Sequence, residues 1–272
     1  MSVLDDIIEG VLEDMTERQR HVPLSVIQEG VRSATPARDA FEALGSGTAE
    51  HGLSVIAEVK RSSPSRGSLS QINDPALLAA SYANGGAAVI SVLTEQRRFG
   101  GSLADFDAVR ERVDIPLLRK DFIIDEYQIW EARAHGADLI LLIVAALDDE
   151  QLTRFLRLTE ELGMHALVEA HTEEEVHRAV QIGARIIGVN VRNLKTLDVD
   201  RSVFGTLSGF IPPGTVVVAE SGVRDVQDVQ EYAARGAHAV LVGEALVQHG
   251  DPGTEISHFT SAGTASMSAG RT

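Results

Sequence analysis

Gly136-Ala-Asp-Leu-Ile-Leu-Leu142 is a glycine, a small residue and a short apolar run. The same junction recurs as Gly86-Ala-Ala-Val-Ile-Ser-Val92, Gly163-Met-His-Ala-Leu-Val168, Gly183-Ala-Arg-Ile-Ile-Gly-Val189 and Gly236-Ala-His-Ala-Val-Leu-Val242. Glycine closes a helix well, because it takes a left-handed backbone without a Cβ penalty. The apolar run after it is too short for another helix and reads as a buried strand. The five glycines are 50, 27, 20 and 53 residues apart. Each long interval holds a further strand, near 115–119 and 215–219, announced by Ile115-Pro116 and by Pro212-Pro213-Gly214.

With the run Leu53-Ser-Val-Ile-Ala-Glu-Val59 the strands number eight, at about 53–59, 88–92, 115–119, 138–142, 165–168, 185–189, 215–219 and 238–242. A helix is expected after each, starting near 74, 102, 125, 148, 172, 200, 224 and 252. Capping residues mark several starts: Asp74 before Pro75, Ser102, Asp125, Asp148, and Thr172 with Glu175 as a capping box. Continuous apolar strands alternating with helices imply a parallel sheet. Eight of them at roughly 25-residue spacing imply an α/β fold of the (β/α)8 TIM barrel type. Strand order is not written in a sequence, so a doubly wound open sheet stays as the alternative. Before the barrel, Val3, Leu4, Ile7, Ile8, Val11, Leu12 and Met15 form an amphipathic helical stripe. The expected organisation is therefore a helical extension over 1–48 packed on the barrel mouth, a catalytic barrel over 49–260, and a disordered tail of small polar residues over 261–272.

Composition narrows the function. The 272 residues are 44% hydrophobic and carry a net charge of −16, which suits a soluble globular protein and argues against nucleic-acid binding. There is no cysteine, which excludes disulfides and thiolate chemistry. No apolar run approaches the roughly 20 residues of a membrane span, and the N-terminus lacks a signal-peptide charge pattern. A cytoplasmic protein without nucleic-acid or membrane partners is expected. The nine histidines show no metal-ligand spacing, so no metal is expected. No P-loop, dinucleotide fingerprint or nucleophile elbow is present.

Lysine is the sharpest compositional signal. Only Lys60, Lys120 and Lys195 occur, against 21 arginines. Two of the three end apolar strands. A lysine's pKa can be tuned by burial, whereas arginine stays charged, so strand-end lysines point to acid–base or Schiff-base chemistry. Barrel enzymes carry their chemistry at the C-terminal ends of the strands. There the sequence places Glu58 and Lys60 on one side of strand 1, with Lys120 ending strand 3, Glu169 strand 5, Asn190 strand 6, and Glu220-Ser221 strand 7. A purely structural ion-pair network is the competing reading of this set. Gly222 and Gly243, in the loops after strands 7 and 8, let a phosphate approach the backbone, with the N–H of Glu244 beside it and its carboxylate turned away. Arg61-Ser-Ser-Pro-Ser-Arg-Gly67 suits a loop closing over an anion, and Arg192 is a further anion candidate. His171, two residues past Glu169, is assigned to the helix start, and Trp130 to packing.

These segments resemble the indole-3-glycerol-phosphate synthase family of tryptophan biosynthesis, over about residues 3–260. Ile56-Ala-Glu-Val-Lys-Arg-Ser-Ser-Pro-Ser65, Leu118-Arg-Lys-Asp-Phe-Ile-Ile-Asp-Glu-Tyr-Gln128, Gly188-Val-Asn-Val-Arg-Asn-Leu194 and Ala219-Glu-Ser-Gly222 carry the resemblance. It implies a TIM barrel with an N-terminal extension, and conversion of 1-(2-carboxyphenylamino)-1-deoxyribulose 5-phosphate to indole-3-glycerol phosphate, CO2 and water. No cofactor or metal is implied, and a monomer is expected. It also implies roles. Lys120 is the acid at the ketone oxygen and Glu169 the base for dehydration. Lys60 holds the substrate's carboxylate and phosphate and is a candidate acid for loss of water. Glu58, Asn190, Glu220 and Ser221 orient the lysines and substrate hydroxyls. Ser63, Gly222, Gly243 and Glu244 meet the phosphate, with Arg192 close by. Pro64, Phe122, Leu141, Leu194 and Leu241 wall the anthranilate ring.

Two positions depart from the family pattern. Asn193 stands where aspartate is common, which is expected to loosen the loop after strand 6, and Glu244 stands where serine is common. A phosphosugar isomerase or tryptophan synthase α-like lyase on the same scaffold would not need Glu58, Lys60, Lys120 and Glu169 together. A class I aldolase would use Lys120 as a Schiff-base nucleophile. A silent barrel would bind a phosphorylated ligand without turnover.

Overall fold

The structure is a computed structural model that describes residues 3–45, 53–63, 67–68, 72–194, 196–248 and 251–269. Three helices come first: α1 (Val3–His21), α2 (Leu24–Arg32) and α3 (Ala40–Gly45). The barrel strands are β1 (Ser54–Val59), β2 (Val89–Leu93), β3 (Leu117–Lys120), β4 (Leu139–Ile143), β5 (His165–Ala170), β6 (Ile186–Asn190), β7 (Val216–Glu220) and β8 (Ala239–Val242). Each agrees with its sequence expectation to within two residues at either end. The helices between them are α4 (Pro75–Asn84), α5 (Leu103–Arg112), α6 (Glu126–Ala134), α7 (Asp149–Glu161), α8 (Glu173–Gln181), α9 (Val203–Ser208) and α10 (Val226–Ala234). After β8 come α11 (Glu244–Gln248) and α12 (Pro252–Ala269).

All eight strands pair in parallel, each with its sequence neighbour, and β1 pairs with both β2 and β8. The sheet closes on itself. An open doubly wound sheet would leave two edges, so that alternative is excluded.

Strand alternation sorts the side chains into two cores. Val55, Ala57, Val59, Ile140, Leu142, Val217 and Ala219 point outward and pack under the helices. Ile56, Leu118, Leu139, Leu141, Leu167, Ile186, Val216 and Val218 point inward and fill the barrel with branched side chains. The inward positions one step further along the chain are polar, and that layer is the floor of the mouth. The glycine junctions behave as the sequence implies, with positive φ at Gly86, Gly136, Gly163, Gly183 and Gly236. In the Gly136–Leu142 stretch, Asp138 is buried and accepts from Leu117 N (2.8 Å), Arg38 N (2.7 Å) and Arg110 Nη1 (2.8 Å). A buried carboxylate needs such partners, and here they tie β3, α5 and the N-terminal extension to β4.

The three helices of the extension take different places. The extension does not sit on the mouth as one piece. Only α1 lies there, with Leu4 and Ile7 facing the cavity. α2 leans on α6 through Ile27 and Tyr127, with Met15 of α1 in the same cluster, and Tyr127 Oη donates to Val22 O at 3.0 Å. α3 stoppers the opposite end, where Ala40 and Leu44 join the barrel interior and Ser54 Oγ donates to Leu44 O at 3.2 Å. Residues 261–269, expected to be disordered, continue helix α12, while 270–272 lie outside the described residues. The capping box at Thr172 is displaced by one residue. Thr172 Oγ1 accepts from Glu175 N, but Glu175 reaches back to His171 N instead of Thr172 N. Reciprocal boxes form at Asp125/Gln128 and Asp148/Gln151, where glutamine at the third helical position completes them.

Candidate active site

The mouth encloses a cavity of about 960 Å³. Every site residue expected from the sequence whose side chain is described lines it. Ser63 is placed by its backbone in a two-residue ladder with Gly67, and Pro64 lies outside the described residues, as does Lys195. Arg61 does not face the cavity. It makes a two-pronged ion pair with Asp105 of α5, at 2.6 and 3.2 Å.

The charged floor is built by alternation. Glu58 follows Ile56 on the inner face of β1, Lys120 follows Leu118 on β3, Glu169 follows Leu167 on β5 and Glu220 follows Val218 on β7. Lys60 Nζ lies 2.5 Å from Glu58 Oε1. Lys120 Nζ lies 3.3 Å from both Glu169 Oε2 and Glu220 Oε2. All three carboxylates are buried. Burial alone would discharge Lys120, but Glu169, Glu220 and Glu58 outweigh it and hold the ammonium charged well above its ordinary range. Burial likewise favours neutral glutamates. At Glu169 it is overcome by Lys120 and His171, which hold the carboxyl far below its usual value. At Glu58 it is overcome by Lys60 and Lys120. At Glu220 burial and the Glu169 charge win, and the pKa is pushed up to about 8. Near neutral pH Glu220 is therefore the carboxyl of the floor that keeps its proton, while Glu169 and Glu58 are carboxylates and the Lys120 ammonium lies between Glu169 and Glu220. Two neighbouring groups with their proton affinities driven apart are equipped for acid and base work.

Glycine makes this packing possible. A Cβ on Gly188, in the middle of β6, would overlap Oε1 of Glu220 and crowd Leu167. Gly188→Ala is expected to cost about 1–3 kcal/mol, by forcing the Glu220 side chain off its position. A thermal melt checks this, and an unchanged Tm would show that the carboxylate has room to move. Gly243 has the same duty toward Glu58, whose Oε1 lies 3.0 Å from where a Cβ would stand.

The rim is held by the loops after β6 and β7. Asn190 Oδ1 accepts from Ser221 Oγ at 2.9 Å and from Arg192 N at 3.1 Å. Ser221 (φ 69°) and Gly222 (φ 79°) are both left-handed, a costly choice for serine that exposes a tight backbone turn to the cavity. Tyr232 Oη donates to Ser221 O at 3.1 Å and fixes that turn. Arg192 donates from Nη1 to Leu197 O at 2.9 Å. Asn193 makes two bonds within its loop. Its Oδ1 accepts from Thr196 N at 3.1 Å, as an aspartate would, and its N–H donates to Asp198 O at 2.9 Å. Apolar wall is supplied by Phe122, Leu141, Leu194 and Leu241.

A model of the family described as indole-3-glycerol phosphate synthase matches residues 4–259. The chain belongs to the indole-3-glycerol phosphate synthase family. It is 66% identical to the indole-3-glycerol phosphate synthase of Arthrobacter sp. strain FB24, over 99% of each chain. It is 59% identical to indole-3-glycerol phosphate synthase 1 of Streptomyces coelicolor, over 97% of this chain and 96% of that one. Among solved structures, 3-hexulose-6-phosphate synthase from Salmonella typhimurium aligns with a TM-score of 0.62 at 16% identity, covering 79% of this chain and 100% of that one. At that identity the likeness concerns the barrel alone.

Membership of the indole-3-glycerol phosphate synthase family accounts for the mouth, but some lining residues were not read from the sequence. Leu4 and Ile7 reach it from α1, and Phe99, Leu197 and Arg201 from loops. Arg201 Nη1 donates to Gly222 O at 3.2 Å. Loop residues follow no strand period, so nothing in their spacing marks them. His171 had a signal: it follows Glu169 at a spacing of two, and so shares its face of the strand.

Proposed function

We propose that this mouth binds 1-(2-carboxyphenylamino)-1-deoxyribulose 5-phosphate and closes it to indole-3-glycerol phosphate, with loss of CO2 and water. The reaction is that of a carboxy-lyase. One observation carries the assignment of roles: Lys120 is a partly buried ammonium set between Glu169 and Glu220, 3.3 Å from each, beside the Lys60–Glu58 pair and against an apolar wall.

The anthranilate ring packs against Phe122, Leu141, Leu194 and Leu241, with Pro64 assigned to the same wall. The phosphate lies at Gly222, Gly243 and the N–H of Glu244, with Ser63 and Arg192 at its edge. The two ends of the substrate are thereby folded together, and that orientation supplies a large part of the rate. The ring carbon bearing the carboxylate attacks the ketone carbon. A C–C bond forms, and the ketone's π pair takes a proton from Lys120 to leave a hydroxyl. Negative charge develops on that oxygen in the transition state, where an ammonium is worth most. The C–CO2 bond then breaks, its electron pair restores the aromatic ring, and CO2 leaves. In the last step the hydroxyl departs as water, protonated by an acid for which Lys60 is placed. Glu169 accepts the proton lost from the adjacent carbon, which completes the indole. Glu58 holds Lys60, and Asn190, Ser221 and protonated Glu220 bind substrate hydroxyls.

Among the described residues no helix is long and apolar enough to cross a membrane. A monomer is the oligomeric state expected in this reading. The test is to mix the purified protein with the carboxyphenylamino-deoxyribulose phosphate in the presence of a chelator and follow indole fluorescence and released CO2. Equal amounts of indole product and CO2 are expected. Binding without product would refute the proposal.

A further inference from the structure

His171 stands between two carboxylates, and only one of them belongs to its helix start. Its backbone N–H donates to Glu175 Oε2 at 2.7 Å, and its ring Nδ1 lies 3.1 Å from the same oxygen. Those contacts knit the end of β5 to the first turn of α8. Helix capping accounts for them. It does not account for the other ring nitrogen, which points the opposite way and lies 3.3 Å from Glu169 Oε1. That Nε2 is buried, and Glu169 is its ion-pair partner, off the ideal hydrogen-bond line. Such contacts often tighten when a site fills.

The two oxygens of Glu169 are thus shared out. Oε2 faces Lys120 and Oε1 faces His171. The charged groups facing the His171 ring are Glu169 from β5 and Glu175 from α8, and those facing Glu169 are His171, Lys120 from β3 and Glu220 from β7. Burial would discharge the ring, but the two carboxylates outweigh it and push its pKa up to about 10. As an imidazolium it has a donor for each of them. When Lys120 turns to the ketone oxygen, Glu169 loses one of its two cations. The other remains.

We propose that His171, braced by Glu175, is a positioning residue that fixes the Glu169 carboxylate and keeps it ionised while Lys120 is engaged with substrate. This rests on the reading of Glu169 as the base of the dehydration. The arrangement has the logic of a base oriented by a third group, with imidazolium and carboxylate in exchanged places. Glu169 must swing little and must not pick up a solvent proton, and a cation fixed from behind supplies both conditions.

The sign of the effect follows. Removing a positive neighbour raises the pKa of Glu169, so the ionised base appears at a higher pH. In His171→Gln the acid limb of the kcat profile is expected to move up by about one pH unit, as for loss of one close opposite charge. At the optimum kcat is expected to fall about tenfold through lost orientation, with KM changing less than about twofold. Glu175→Gln, which frees the ring, should shift the same limb in the same direction, and it serves if His171→Gln does not fold. Thr172→Ala removes a helix cap without touching Glu169. It is expected to lower Tm and leave the profile where it is.

A folded His171→Gln enzyme with the parental acid limb and kcat would overturn the proposal. So would a Thr172→Ala enzyme whose limb moves as far as that of His171→Gln, since helix capping would then explain everything. Glu169→Gln separates this from the underlying assignment. If it turns over normally, Glu169 is not the base and the proposal falls with that role. If it is inactive while His171→Gln is unaltered, the base stands and only the positioning role is lost.

Discussion

Lys120→Ala is expected to lower kcat/KM about a thousandfold, within the range of 10²–10⁴ typical of a positioned acid. The fold should survive, as judged by circular dichroism and a cooperative melt. The size follows from where the charge sits. Lys120 is the inward residue that ends β3, and its ammonium is the counter-charge of Glu169 and lies as close to Glu220. Its loss removes the proton donor from the ketone oxygen and leaves two carboxyls facing an anionic substrate. Arginine is a poor replacement, because it keeps the charge but does not give up a proton at working pH. Lys120→Arg should therefore bind substrate much better than Lys120→Ala and turn it over hardly faster. Near-parental turnover in Lys120→Ala would sink the acid assignment outright. A Schiff-base route would also fail in this variant, so sodium borohydride added to the parental enzyme with substrate separates the two. A covalent adduct on Lys120 would favour the aldolase reading, and acid catalysis leaves none.

The sequence disclosed the barrel because its signals are local. A glycine that ends a helix and a run of five apolar residues each need only their neighbours to be recognised. The polar floor was legible for the same reason. Alternation places Glu58, Lys120, Glu169 and Glu220 on the inner face without knowledge of strand order. What alternation could not give is contact between strands. That Gly188 is empty space for Glu220 depends on the pairing of β6 with β7, which links residues far apart in the chain. The division of the extension between the two ends of the barrel depends on α2 finding α6, again a long-range event. His171 reads as a helix-start residue from its place just before Thr172, and its contacts with Glu175, four residues on, agree with that. The partner on the other side of its ring becomes meaningful only once Glu169 is known to be fixed between it and Lys120.

Arg119 shows how the outer face of β3 supports the inner one, and it yields the largest expected effect on stability. Alternation turns Arg119 away from the cavity and into the layer beneath α6, where it is 1% exposed. Its guanidinium meets Asp121 Oδ2 at 3.1 Å, Glu131 Oε2 at 2.9 Å, Thr94 Oγ1 at 3.2 Å and Gln128 O at 3.1 Å. Arg18 of α1 joins from outside, with Nε 2.8 Å from Glu131 Oε1. One buried cation thus joins α6 to Asp121, the residue after Lys120, and reaches α1 through Glu131. Removing it strands Asp121 and weakens the hold on Glu131, and breaking a buried pair from one side costs about 3–5 kcal/mol. Arg119→Met, which keeps most of the volume, is expected to lower Tm by on the order of 10 °C. Asp121→Asn in the same chain should recover much of that loss. Its amide can keep the bonds to Phe122 N and Thr94 without a buried charge, so the two changes are coupled rather than additive. If the single variant melts like the parent, the network is solvated well enough to relax. If the pair melts as low as the single variant, the cost lies in lost packing and not in an orphaned carboxylate. The expected recovery would make Arg119 the residue that holds the end of β3, and with it Lys120, in register with the mouth.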